Sequence, residues 1–469
     1  MEFISGLSML PAERYGRSRV LDMAGSSTDA PQGSKLSVVP ETLTNLYNLD
    51  SGKGSSKVTQ GAVEYQGAPA WSETDLTTFA NNTGIAPFSV SHTGPFNSLQ
   101  PFAESTLDVQ YLGAVGKGNT NEYFTTATWM YDYANEVLKG TFTADVQSSS
   151  YGYREDQNCV INPIAAPCAN GGVSAYIKAT NTLFQQVGAT GVTLVVASGD
   201  AGAHGREDQT CTSGTVNPDF PASSPFVTAV GATQLSADAE STGAKAPICQ
   251  GELQCATSGS EQTCSYGTGA LITSGGGFSL YAERPAYQDA AVKAYLAKSG
   301  ATPATTDFNA AGRAYPDVSA LGHAYYIQLQ NQAVGVDGTS AACPVFAGVL
   351  ALLNAYKVEN NQPKLGFANP FLYKMAAEHP AAFNDITVGS NKCTSFLCEG
   401  CTGFEAVAGY DAATGLGTPN LKEMLAYLQT QHKLASPSAG LAGAAHAMQQ
   451  QINSAIRSAL RGNVRTPHA

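Results

Sequence analysis

The chain has 469 residues, 43% hydrophobic and only 13% charged, and its 25 Lys and Arg against 37 Asp and Glu give a formal charge of −12 and a pI near 5.0. An average soluble protein carries roughly 25% charged residues, and a surface this acidic repels phosphate backbones, which excludes a general nucleic-acid binder. The apolar fraction excludes wholesale disorder, and the richest apolar run, Val345 to Leu353, is far short of the ~20 residues of a membrane span.

Residues 1–35 read as irregular, with a Gly/Ser/Asp-rich run from Gly25 to Ser34 that marks a linker. Met1-Glu2-Phe3-Ile4 shows no basic-then-apolar leader, so the chain is expected to start late in its protein. From Leu36 helical and strand signals alternate. Glu104 and Asp108 stand four apart among Phe102, Ala103, Leu107, Val109 and Leu112; in a helix that spacing puts both carboxylates on one face. Val173 to Gln186 has apolar residues at helical spacing and ends near Gly188 and Gly191. Val192 to Ala197 is a continuous apolar run typical of a strand buried on both faces, and Pro225 to Val230 reads as the following strand. This alternation predicts a parallel α/β sheet with helices on both faces. Cys249 to Gly269, rich in Ser, Gly, Thr and Gln, reads as an inserted surface loop, and residues 341–357 predict a strongly apolar helix. After Leu434 the composition turns to Ala, Gly, Gln and Ser, with Leu441, Met448, Ile452, Ile456 and Leu460 at the spacing of an amphipathic helix.

None of the ten cysteines has zinc-finger spacing, and their loop-rich surroundings point to disulfides in an oxidising compartment. Cys159 and Cys168 bracket a short loop and are expected to pair. One sequon, Asn81-Asn82-Thr83, fits the same compartment.

Four features carry chemistry. Gly338-Thr339-Ser340 opens the apolar helix, with Pro344 in its first turn, so Ser340 sits beside free backbone N–H groups and the positive end of the helix dipole. That suits a nucleophile whose reaction creates an oxyanion; an ordinary N-cap serine fits the local pattern equally well. Such a nucleophile needs a base, and none of the seven histidines (His92, His204, His323, His379, His432, His446, His468) stands before Gly-Thr/Ser. The Glu104/Asp108 pair is the second feature: two carboxylates pushed together titrate apart, although a solvated acidic face is the commoner meaning of such spacing. Asp200, in Ser198-Gly199-Asp200, follows a buried strand, where α/β proteins place their sites and where turns also favour Gly-Asp. Finally, Asp385-Ile386 and Val407-Ala-Gly409-Tyr-Asp411 offer oxygen ligands suited to calcium, with plain turn chemistry as the alternative.

Together these segments resemble the sedolisins, the serine-carboxyl peptidases, and the resemblance covers roughly residues 36–430. It runs through Leu36-Ser-Val-Val-Pro-Glu-Thr-Leu, Glu104-Ser-Thr-Leu-Asp108-Val-Gln-Tyr, Ser150-Tyr-Gly, Ala197-Ser-Gly-Asp200 and Phe220-Pro-Ala-Ser-Ser-Pro-Phe-Val. It continues through Ser274-Gly-Gly-Gly-Phe-Ser, Gly312-Arg-Ala-Tyr-Pro-Asp317, Gly338-Thr-Ser340 and Asp411-Ala-Ala-Thr-Gly-Leu-Gly-Thr-Pro-Asn420. The resemblance implies a subtilisin-like α/β fold with a mostly parallel central sheet and a calcium site near the C-terminal end of the catalytic domain. It implies Ser340 as nucleophile, Glu104 as general base, Asp108 as the residue orienting it and Asp200 as the oxyanion-hole acid. One structural calcium would take Asp385 and Asp411 with the carbonyls of Ile386, Val407 and Gly409. Ser150, Tyr151 and Gly152, with Ser274, Gly275, Gly276 and Gly277, would wall the substrate cleft.

By the same resemblance residues 1–35 are the end of a prodomain and an activation linker, residues 36–434 the catalytic domain, and 435–469 a tail without counterpart. The partners implied are peptide or unfolded-protein substrates and the chain's own prodomain in a zymogen, in a secreted or acidic lysosomal or vacuolar setting. Cys393–Cys401 and Cys211–Cys398 are the implied disulfides, and Cys343 a packed free thiol. A carboxylate base shifts the working pH toward about 4.3, the value of an unperturbed Glu. Two other readings stay open: a catalytically silent relative that binds peptides, and a conventional Ser-His-Asp hydrolase.

Overall fold

The computed structural model describes residues 19–21, 33–65 and 70–435. The expected tail helix and nearly all of the expected prodomain remnant lie outside the described residues. The described chain runs β1 (Arg19–Leu21), α1 (Pro40–Tyr47), β2 (Thr59–Glu64), α2 (Glu73–Thr83), β3 (Val90–Thr93), α3 (Ala103–Val115), β4 (Thr120–Thr125), α4 (Met130–Leu138) and β5 (Val146–Ser149). It continues with β6 (Tyr153–Arg154), α5 (Asn158–Ile161), α6 (Ala166–Ala189), β7 (Thr193–Ala197), β8 (Asp219–Phe220), β9 (Thr228–Leu235), β10 (Glu261–Thr263) and β11 (Gly277–Glu283). It ends with α7 (Asp289–Leu296), β12 (Gly312–Tyr315), β13 (Val318–Leu321), β14 (Tyr325–Leu329), β15 (Gln332–Asp337), α8 (Thr339–Glu359), α9 (Asn369–Glu378) and α10 (Leu421–Ala435).

The central sheet orders its parallel strands β3-β4-β2-β5-β7-β9-β13, with β10 antiparallel to the end of β9. Side chains alternate across a strand, and β7 shows the result. Val195 and Ala197 join the core that holds α3 and α8, while Leu194 and Val196 join the core that holds α4 and α6. Both faces are thus covered, the condition a parallel sheet imposes. The expected fold class holds.

Three expectations shift in detail. The helix predicted from Val173 extends from Ala166 to Ala189 and kinks at Gly172 (φ 64°). The strand predicted from Pro225 begins at Thr228, because proline brings no N–H to a ladder, and runs on to Leu235. The supposed surface insertion contributes β10 to the sheet, and its half-buried Glu261 accepts from Tyr47 Oη, Thr233 Oγ1 and Thr418 Oγ1.

Cys159–Cys168 forms as expected, and Cys249 pairs with Cys255. The other two bridges correct the implied pairing: they are Cys211–Cys401 and Cys393–Cys398. Cys398 and Cys401 stand only three residues apart in one turn, so order along the chain cannot tell which of them reaches Cys211. The fold places the Cα of Cys393 and Cys398 4.1 Å apart, closing a local turn, and leaves Cys401 for the bridge across 190 residues. Cys343 is free and buried, and so is Cys264.

Helix α8 is the centre of the molecule. Every residue from Thr339 to Ala355 is buried, so although the helix is long and apolar enough to cross a membrane, 83% of that window lies inside the fold. It packs on α3 with almost no tolerance: a Cβ at Gly348 would stand 2.8 Å from Val115 Cγ1 and 2.9 Å from the Gly116 amide. Alanine would gain about 1 kcal/mol of helix propensity there, yet it has to push against backbone, and overpacking of this kind costs typically about 1–3 kcal/mol. Gly348→Ala is therefore expected to lower the unfolding free energy in urea; a stabilised variant would show that α3 and α8 have room to separate.

Candidate active site

Ser150, Asp200 and Ser340, singled out from the sequence, meet at the carboxyl edge of the parallel sheet together with Glu64, which was not, and an open α/β fold places its sites at that edge. Glu64 ends β2, Ser150 follows β5, Asp200 lies three residues past β7, and Ser340 is the second residue of α8. Pro344 falls in the second turn of α8, not the first. Lacking an N–H, it leaves the Ser340 carbonyl without its usual helical donor. Ser150 Oγ donates toward that carbonyl at 3.4 Å, and Ser340 Oγ donates to the Ser150 carbonyl at 3.5 Å.

Glu104 and Asp108 do share one face of α3, and that face is turned inward: the two are 1% and 0% exposed. The solvated-face alternative is thereby removed. Asp108 Oδ1 accepts from Ser150 Oγ at 2.8 Å, which ties α3 to the serine. A third carboxyl, Glu64, belongs to the same group and accepts from Tyr151 Oη. Burial first, and then the negative charge of Glu104, push Asp108 and Glu64 well above the usual carboxyl range; the Ser150 and Tyr151 hydrogen bonds oppose this only in part. Asp108 Oδ2 and Glu64 Oε1 are buried with no hydrogen-bond partner, so a charge on either group is only partly compensated.

On the other side of Ser340, Asp200 Oδ1 accepts from the Thr339 amide (2.8 Å) and from Thr339 Oγ1 (2.7 Å). Thr339 Oγ1 in turn accepts from the Gly199 amide at 3.2 Å. Asp200 Oδ2 pairs with Arg206 Nη2 at 2.6 Å. Ser340, Asp200, Arg206, Ser150, Gly152 and Gly199 line one small recess. The histidines of the described residues take no part. His204, His323 and His379 each face a carboxylate of their own, Asp208, Asp337 and Glu423, and none lines the recess.

Of the expected cleft-wall residues, Ser150 and Gly152 line the recess. Tyr151 is fully buried with its hydroxyl committed to Glu64. Ser274, Gly275, Gly276 and Gly277 are buried also: a Cβ at Gly275 would meet the Ser198 carbonyl at 2.3 Å and one at Gly276 the Ala412 carbonyl at 2.1 Å. Their glycines serve close backbone packing behind the site. Asp385 Oδ2 accepts from the Gly409 amide at 2.7 Å, and Asp411 Oδ2 from the Val407 amide at 2.9 Å, so both acids grip one turn. Burial raises Asp411 to about 7 despite four hydrogen bonds. Asp385 and Asp411 thus approach the same stretch, Val407 to Gly409, in which calcium ligands are expected. Among the described residues no cluster of three or more His, Cys, Asp or Glu that could hold a metal ion is present.

The sequence reading missed Glu64, Arg206 and Glu155. Glu155, pushed by burial to about 7, accepts from Ser223 Oγ, Ser279 Oγ and the Leu280 amide and holds β11 in place. Glu64 carries a faint signal, an acid ending an otherwise uncharged strand. Arg206 carries none.

The subtilase family's sequence profile matches residues 106–368. Physarolisin of Physarum polycephalum is 41% identical over 441 residues, covering 92% of this chain and 73% of that protein. Tripeptidyl-peptidase 1 of Homo sapiens is 31% identical over 458 residues, covering 91% and 69%; the rat protein is 33% identical, and 65% of its length is covered. Among solved structures, Pseudomonas sedolisin, a serine-carboxyl proteinase complexed with pseudo-iodotyrostatin, superposes with a TM-score of 0.63 at 23% identity, covering 85% of this chain and 99% of that one. The chain belongs to the sedolisins, the serine-carboxyl peptidases of the subtilase family.

Carboxyls raised by burial bind more protons in the folded than in the unfolded chain. Their penalty is absent below about pH 4 and grows as pH rises toward their folded values, at about 1.4 kcal/mol per pH unit for each such group. The wild-type chain is expected to lose stability between pH 4 and pH 7, and Glu64→Gln to lose measurably less; equal losses in the two melting curves would show that Glu64 does not carry this penalty.

Proposed function

We propose that this sedolisin is an acid endopeptidase or tripeptidyl-peptidase in which Ser340 attacks the scissile carbonyl. The observation that carries the reading is the placement of Ser340 between two kinds of carboxyl, in a recess that no histidine lines: Glu104 and Asp108 buried on α3, and Asp200 in the recess itself. Glu104 takes the hydroxyl proton as the Ser340 Oγ–carbon bond forms, and returns it to the leaving amine as the peptide bond breaks. Asp108, fixed by Ser150, orients Glu104 and shares its proton. Water then attacks the acyl-enzyme with Glu104 again as base.

The developing oxyanion needs donors where its charge appears. Asp200 serves there only when protonated, and Oδ2 is the oxygen not already committed to Thr339. Arg206 now occupies that side, so substrate has to enter against the ion pair. The raised carboxyls on one side of the serine, and an oxyanion donor that has to carry a proton on the other, favour acid solution, which supports a lysosomal or secreted setting. Relatives named for tripeptide release and for proteinase activity leave both product patterns in play.

Calcium at Asp385, Asp411 and the carbonyls of Ile386, Val407 and Gly409 would neutralise the buried Asp411 and stiffen the turn; its chemistry is structural. The prodomain expected from the resemblance would keep the enzyme as a zymogen until the linker is cut.

A mass-spectrometric digest of an unfolded protein at pH 4 and pH 7 tests this reading. Cleavage at pH 4 is expected to fall by on the order of 10⁴-fold or more in Ser340→Ala and by about 10²–10³-fold in Asp200→Ala. Product lengths separate tripeptide release from internal cutting. A folded Ser340→Ala variant that cuts like the wild type overturns the mechanism. Chelation is expected to lower the melting temperature, with recovery on adding calcium; an unchanged melting curve overturns the calcium assignment.

A further inference from the structure

Asn81-Asn82-Thr83 is the only Asn-x-Ser/Thr motif in the 469 residues, and it forms the last turn of α2 before Gly84 ends the helix in the left-handed region (φ 70°). The structure separates the two asparagines. Asn82 is half-buried and its Nδ2 donates to Tyr326 Oη at 2.9 Å. Asn81, which holds the acceptor position of the motif, is exposed to solvent. Thr83 is 4% exposed, and its hydroxyl donates to the Phe79 carbonyl at 2.7 Å. Four disulfides place the chain in an oxidising compartment, the one in which secretory proteins receive N-linked sugars.

We propose that Asn81 carries an N-linked glycan, attached before α2 closes. The step transfers an oligosaccharide from a polyprenyl-diphosphate donor. The Asn81 amide nitrogen bonds to the anomeric carbon, the bond from that carbon to the diphosphate oxygen breaks, and the amide loses one proton to the medium. A transferase that recognises the threonine hydroxyl finds it free in the unfolded chain and sealed against Phe79 in the folded one. Transfer therefore precedes folding, and the finished sugar stands outside the helix, where bulk is tolerated. It rises beside a broad groove walled in part by Thr83, Ile85 and Phe88.

The chain secreted from eukaryotic cells behind a cleavable leader tests the site. Treatment with peptide N-glycosidase is expected to give one discrete loss of mass and to convert residue 81, and no other, from Asn to Asp in peptide maps. Asn81→Gln should abolish the shift while keeping the melting temperature, and Asn82→Gln should keep the glycan. Unmodified Asn81 in secreted, folded chain overturns the proposal. The order of events is read by offering the donor and microsomal transferase to chain made without sugar. Modification of denatured but not of folded chain is expected, and equal modification of both overturns the claim that transfer comes first.

Discussion

The fit between α8 and α3 is the constraint on which the rest of the structure depends. An apolar helix of 21 residues must be wrapped completely, and α3 reaches it closely enough that Gly348 has no space for one more carbon. That approach fixes the height of α3 against the start of α8. The carboxyls on the inner face of α3 consequently lie on the side of the first turn of α8, which holds Ser340. The geometry around Ser340 is a by-product of core packing, set by side chains that do not line the recess.

Packing also sets the electrostatics. Glu64, Glu104 and Asp108 are gathered where water is excluded, with the Ser150 and Tyr151 hydroxyls donating to two of them. Removing charged carboxylates from water costs far more than a hydrogen bond returns, so protons are the readiest neutralisers. The opposite wall is built differently: Asp200 meets a guanidinium and two donors from Thr339. The serine thus separates a wall that stores protons from a wall that stores an ion pair.

Much of this was legible in the chain itself. The buried strand at Val192, the apolar helix after Ser340 and the i, i+4 acids on α3 each follow from periodicity, because burial on one face or on all faces writes itself into residue order. The positions that escaped were those decided by distant chain. Glu64 becomes part of the site only because β2 lies beside β5, and Arg206 only because a short loop folds back on Asp200. Cys398 and Cys401 differ by three residues and trade partners on the strength of tertiary placement alone. Glu261 turns a compositionally bland insertion into sheet through three long-range hydroxyl contacts. The glycine run at Ser274–Gly277 is buried and closely packed against Ser198 and Ala412, which residue order alone does not show.

The Ser150 hydroxyl has a single hydrogen and two claimants, Asp108 Oδ1 at 2.8 Å and the Ser340 carbonyl at 3.4 Å, the latter left open because residue 344 is proline. The shorter contact goes to Asp108, so the Ser150 hydrogen lies mainly along the bond that ties α3 to the end of β5. A missing amide hydrogen on a ring four residues past Ser340 thereby opens the first turn of α8 to a side chain from the sheet edge, and the hydroxyl that holds α3 reaches α8 as well.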